Sequence, residues 1–111
     1  MVGDLAHPTT PNGKTLAYRV TYKKAPQRIS TQLRAAGYKE TPFADITTFQ
    51  SNKNGVLLVS ITPDYNPNFQ LARREDIEDY FLGYDVNVAF INVPQAKRGE
   101  LEAILEEIKE L

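Results

Sequence analysis

Two segments of this chain are apolar at both odd and even positions, and this feature constrains the fold more than any other. The segments span 56–62 and 84–93, and each is bounded by a turn signal or a proline. Both are short enough to be strands, and strands that are apolar on both sides are usually covered on both faces of their sheet. The sequence therefore predicts a sheet that needs a second layer on each side.

Periodicity predicts the remaining elements. Residues 15–23 alternate between apolar and polar side chains, which indicates a strand. Pro26 near the start and Gly37 just past the end predict a helix over about 26–36. Pro42 favours an edge strand or a bulge before a β-rich segment at 46–49. The other predicted elements are a turn at 51–55, a second helix ending near Leu82 and an amphipathic C-terminal helix at 97–111.

This order of elements predicts the fold class. It is β-α-β-β-α-β followed by one more helix, which is the order of a ferredoxin-like split βαβ sheet in the α+β class. Right-handed crossovers would give an antiparallel sheet of order 4-1-3-2, with both crossover helices on one face. Residues 14–111 are expected to form one domain, since 111 residues match a common domain size. Prolines 8 and 11 predict that residues 1–13 form a flexible arm.

The residue inventory argues against an enzyme. The chain has no cysteine and a single histidine, His7, which lies in the predicted arm. Thiolate chemistry, cysteine-based zinc sites and Ser-His-Asp catalysis are therefore not expected. No glycine-rich phosphate-binding pattern occurs, so no cofactor is predicted. The acidic clusters at 75–79 and 102–110 are interpreted as solvated helix faces rather than metal sites.

The absence of recognisable catalytic groups, together with strands that are apolar on both sides, favours a binding or regulatory module that acts through protein–protein contact. A homodimer is expected. Either the C-terminal helix folds over the second sheet face, or another subunit or a protein partner covers it. The candidate partner-binding residues are Tyr65 and Phe69 in a Pro- and Asn-rich connection, and the helical stripe Leu101, Ile104, Leu105 and Ile108. The two aromatic residues could equally pack beneath their own loop.

Two alternatives belong to other functional classes. A nucleic-acid-binding accessory protein would use a basic patch formed by Arg19, Lys23, Arg73 and Arg74, although the net charge of −1 gives this alternative no support. A small enzyme or ligand-binding domain would use the sheet face as a pocket floor, with polar contacts from Tyr18, Tyr22, Arg19 or Asp45. No apolar run approaches the ~20 residues that cross a bilayer, so a membrane partner is not expected. The absence of cysteine fits a cytoplasmic location.

Overall fold

A five-stranded antiparallel sheet and two α-helices form the part of the chain that the computed structural model describes, residues 15–111. The predicted arm at 1–13 lies outside this part. The strands are β1 (Thr15–Val20), β2 (Lys39–Phe43), β3 (Ile46–Ser51), β4 (Gly55–Tyr65) and β5 (Phe81–Ile91). The helices are α1 (Ala25–Ala35) and α2 (Gln95–Lys109), and the 3-10 helices Pro67–Leu71 and Arg74–Tyr80 connect β4 to β5.

The strands lie in the order β1-β5-β4-β3-β2. Helix α1 carries the chain from β1 at one edge of the sheet to β2 at the other. Strands β2 to β5 then return as an antiparallel meander that ends beside β1. The predicted α+β class is confirmed, whereas the predicted ferredoxin-like sheet with order 4-1-3-2 is wrong.

The first reason for this difference is the connection between β4 and β5, where the sequence pattern predicted a crossover helix. Asn66 begins a 3-10 turn instead, with its side-chain oxygen accepting a hydrogen bond from the Asn68 N–H at 2.9 Å. Arg73 then adopts an extended backbone, φ −71° and ψ 156°, which separates the two short helices. No side chain of either is buried, so no apolar face stabilises a continuous α-helix here. Strands β4 and β5 therefore pair directly.

The second reason is the extra strand β2, which the sequence pattern left irregular. Phe43 pairs with Ile46 across the two-residue turn Ala44-Asp45. Ala44 has a φ of 53°, a conformation for which hairpins usually select glycine or asparagine, so the sequence gives no turn signal there. Strand β2 is the sheet edge, which confirms the edge position that Pro42 indicated.

Both α-helices lie on the same face of the sheet. Ile29 and Leu33 of α1 and Leu101 and Leu105 of α2 are fully buried in one core cluster. The sheet contributes a row of buried side chains from its central strands: Leu57, Val59, Val86, Val88 and Phe90. The C-terminal helix thus joins α1 and does not cover the second face. Neither helix is long and apolar enough to cross a membrane.

A substitution at Gly55 tests the packing at the start of β4. Its φ is +79°, and a Cβ at this position would overlap the main chain of Ile91 and Asn92. We expect Gly55→Ala to lower the free energy of unfolding by at least ~2 kcal/mol, because both the left-handed backbone and the close approach of β5 exclude a methyl group. Urea denaturation measures this change.

Gly99 provides the matched control. It lies inside α2 with open space around it, so Gly99→Ala should raise the free energy of unfolding by about 0.5 to 1 kcal/mol. Equal effects of the two substitutions would contradict the close contact between Gly55 and β5.

Candidate functional site

The sheet face opposite the helices is the candidate site, and we name it the open face. Alternation along each strand and the register between strands assign its residues. They are Thr15, Ala17 and Arg19 of β1; Asp85, Asn87, Ala89 and Ile91 of β5; Val56, Leu58, Ser60 and Thr62 of β4; Ile46, Thr48 and Gln50 of β3; and Lys39, Thr41 and Phe43 of β2.

None of these side chains is buried, although those of the opposite parity in β4 and β5 form the core. Phe43 is 80% exposed, Ile46 44% and Ile91 42%. Leu58 and Val56 of the central strand β4 are only half-buried. No part of residues 15–111 therefore covers the open face, and the requirement for a second layer is not met within the described chain.

The middle of the open face is uncharged. Its central row runs across all five strands through Thr41, Thr48, Leu58, Ala89 and Thr15. Charged groups occur only at two opposite corners, with Lys39 at one corner and an ion cluster at the other. Depletion of charged side chains is typical of the centre of a protein–protein interface.

The ion cluster at the second corner is internally paired. The Arg19 guanidinium lies 2.6 Å from Asp64 and 3.1 Å from Asp85. The hydrogen bond to Asp64 is the largest cause of the raised pKa of Arg19, and the negative charge of Asp85 raises this pKa further. The two carboxylates outnumber the guanidinium, so this corner carries a net negative charge.

Two of the other three basic residues of the predicted nucleic-acid patch are also near carboxylates. Lys23 lies 3.6 Å from Glu78, and Arg73 lies 3.2 Å from Asp76. Within residues 15–111, only Arg74 of this group has no ion pair. The structure thus places these cations among acids and does not assemble them into one positive surface.

Tyr65 and Phe69 pack on each other at one end of the sheet, with ring centroids 5.6 Å apart. Tyr65 also contacts Phe81 at 5.8 Å, and Phe81 contacts Tyr84 at 4.9 Å. The two predicted anchors are half-buried within this aromatic row. The neighbouring Leu71 is instead 88% exposed, a residue that the sequence analysis did not select.

The predicted stripe on the C-terminal helix contacts the chain's own core. Leu101, Leu105 and Ile108 are buried there, and Ile104 is partly buried against them. Their side chains fill the space beneath α2 and offer little surface to a partner in this arrangement.

The residues predicted to line a pocket on the sheet face are not brought together. Tyr18 and Tyr22 belong to the helix-covered side, where both pack against the core. Asp45 lies in the β2–β3 turn, away from Arg19. Within residues 15–111, no three His, Asp or Glu side chains are grouped so that they could hold a metal ion.

Sequence reasoning missed the most exposed apolar side chains of the open face, Phe43 and Ile46. Their position depends on the Ala44-Asp45 turn, which places both side chains on the same side of the hairpin. Only the strand-forming tendency of Ile46 and its neighbours signalled them in the sequence.

Comparisons with known proteins do not assign a family. No protein-family model matches the chain, and neither the curated proteins nor the solved structures give a match.

The hydroxyl of Tyr18 gives a test of the packing beneath α2. Burial, together with the charge of Glu106, raises the pKa of Tyr18 to about 12, and the hydroxyl is buried without a partner among the described residues. We expect Tyr18→Phe to leave the free energy of unfolding unchanged or to raise it, because it removes an unpaired buried polar group. Chemical denaturation measures the change.

Tyr38 is the control, since its hydroxyl donates to the Asn54 carbonyl at 2.7 Å. Tyr38→Phe should lower the free energy of unfolding by about 1 kcal/mol. A loss for Tyr18→Phe as large as the loss for Tyr38→Phe would mean that the Tyr18 hydroxyl is hydrogen-bonded.

Proposed function

We propose that this chain is a non-enzymatic binding or regulatory module that forms a homodimer through its open face, in the cytoplasm and without a membrane partner. The observation that carries the proposal is the placement of both helices on one side of the sheet, which leaves Val56, Leu58, Ala89 and Ile91 of the central strands uncovered on the other side. Apolar strand surface of this kind is normally removed from water by a second layer.

The size of the open face supports a second copy of the chain as that layer. With strands about 4.8 Å apart and residues about 3.4 Å apart along them, the face measures about 24 Å by 24 Å, or about 600 Å². Specific interfaces bury about 600 to 1,000 Å² on each partner. The open face is thus large enough for a dimer at the lower end of the usual range.

The distribution of charge also supports a second copy. Lys39 lies at one corner of the open face, and the net negative cluster of Arg19, Asp64 and Asp85 lies at the opposite corner. A twofold axis in the plane of the interface, perpendicular to the line joining these corners, lays the positive corner of each copy over the negative corner of its partner. The strands of the two sheets then cross at a large angle, as in orthogonal sheet packing.

The two alternative functions have less support. Nucleic-acid binding would need cations that are available to phosphates, whereas Arg19, Lys23 and Arg73 are engaged by carboxylates. An enzyme that used the sheet face as a pocket floor would need its titratable groups to converge there, whereas Tyr18 and Tyr22 lie on the helix-covered side and Asp45 lies in the β2–β3 turn.

A charge at the centre of the open face tests the proposal. Ala89 lies there beside Leu58, and Ala89→Lys would place two like charges near the twofold axis of the dimer. We expect the wild type to sediment as a dimer at micromolar concentration and Ala89→Lys to weaken the dimer at least ~100-fold, because an unpaired charge is desolvated in each copy.

Ala103→Lys is the matched control, since Ala103 is exposed on α2 and lies outside the open face. This variant should dimerise as the wild type does. A wild type that sediments as a monomer over the whole range, or an Ala89→Lys variant that dimerises normally, would refute the proposed interface.

A further inference from the structure

The meander leaves a notch at the end of the sheet, which adjoins the open face at Ile46, Ser60 and Thr62. Strand β3 begins at Ile46, opposite Ser60, whereas β4 continues to Tyr65. Beyond Ser60, β4 therefore has no neighbouring strand on this side within the described chain. The notch is a cavity of about 680 Å³ whose lining includes Pro26, Ser30, Glu40, Asp45, Ile61 and Pro63. This volume lies within the range of ligand-binding pockets, about 300 to 1,000 Å³.

The edge of β4 in the notch has main-chain groups available for pairing. A proline is tolerated in a strand where its nitrogen points away from the neighbouring strand, so Pro63 orients its main chain toward the notch. Since alternate residues of a strand point their N–H and C=O groups to the same side, Ile61 presents both groups there as well. An added strand could accept a hydrogen bond from the Ile61 N–H and donate to the carbonyls of Ile61 and Pro63.

The charge of the notch selects the side chain that such a strand would carry. Glu40 and Asp45 are its only charged lining residues, so the net charge of the lining is negative. Glu40 accepts a hydrogen bond from the Ser30 hydroxyl at 2.6 Å and forms an ion pair with Arg34 at 3.6 Å. Asp45 on the rim is therefore the carboxylate that is available to a basic side chain. Apolar lining residues, Ile29 and Val59 among them, suit the hydrocarbon stem of a long basic side chain.

We infer that the notch binds an extended peptide segment with a lysine or arginine side chain, which pairs with the edge of β4 as an added strand. Main-chain hydrogen bonds to Ile61 and Pro63 hold the segment, and the position next in line with β3 brings it beside Asp45. This mode of recognition combines backbone pairing for affinity with one side-chain pocket for specificity.

A short synthetic peptide tests this inference. The probe is acetyl-Thr-Val-Lys-Val-Thr-amide, titrated into the isotope-labelled full chain and followed by amide NMR signals and by hydrogen exchange. We expect saturable binding below ~1 mM, with slower exchange of the Ile61 amide. A peptide with glutamate in place of lysine should bind at least ~10-fold more weakly, and so should a lysine peptide that carries N-methyl groups on its main chain.

Asp45→Asn and Asp79→Asn form a matched pair of variants. Asp45 is exposed in the turn at the notch, whereas Asp79 is exposed in the second 3-10 helix and does not line the notch. We expect Asp45→Asn to weaken lysine-peptide binding about 5- to 10-fold and Asp79→Asn to leave it unchanged.

Several results would overturn the inference: no binding at ~1 mM, equal binding of the lysine and glutamate peptides, or binding that leaves the exchange of the Ile61 amide unaffected. The lysine and glutamate peptides are compared at one protein concentration, so the oligomeric state is the same in both titrations and the charge preference of the notch is tested separately from the dimer interface.

Discussion

The direct antiparallel pairing of β4 with β5 is the interaction on which the rest of the structure depends. It runs from Val56 opposite Ile91 to Tyr65 opposite Phe81, with an irregularity near its end. Because these strands are neighbours and antiparallel, the chain between them cannot be a crossover helix that packs on the sheet. The 3-10 connection only has to reverse the direction of the chain. One crossover remains, α1, and α2 occupies the other half of the face that α1 covers.

Much of the fold follows from local sequence patterns. Alternation in β1, the Pro26 and Gly37 boundaries of α1 and the apolar stripe of α2 predicted elements close to the observed ones. The wrong topology came from the segment 66–80, where a few apolar residues suggested helical spacing. That segment buries no side chain, and the energy that stabilises a short helix comes mainly from burial of its apolar face. Whether this segment forms a crossover helix depends on which strands pair, and the pairing of distant strands cannot be read from a single sequence.

Local apolar patterns also predicted part of the candidate site. Apolar residues at both parities of β4 and β5 indicated that each sheet face requires a cover, and the structure leaves the open face without one among residues 15–111. The apolar stripe on α2 was a candidate for that cover, but Leu101 and Leu105 are fully buried beside α1, on the opposite face of the sheet. Phe43, Ile46 and the notch beside Ile61 depend on where β3 ends relative to β4, which is a property of register and not of composition.

In the proposed dimer a second copy of the chain covers the open face, and contacts between copies test this arrangement. An isotope-filtered NOE experiment on an equal mixture of labelled and unlabelled chains detects only contacts between copies. We expect intermolecular NOEs to the methyl groups of Leu58, Ala89 and Ile91, and none to those of the core residues Leu101 and Leu105. Absence of intermolecular NOEs to the open-face methyl groups, at a concentration where sedimentation finds a dimer, would contradict it.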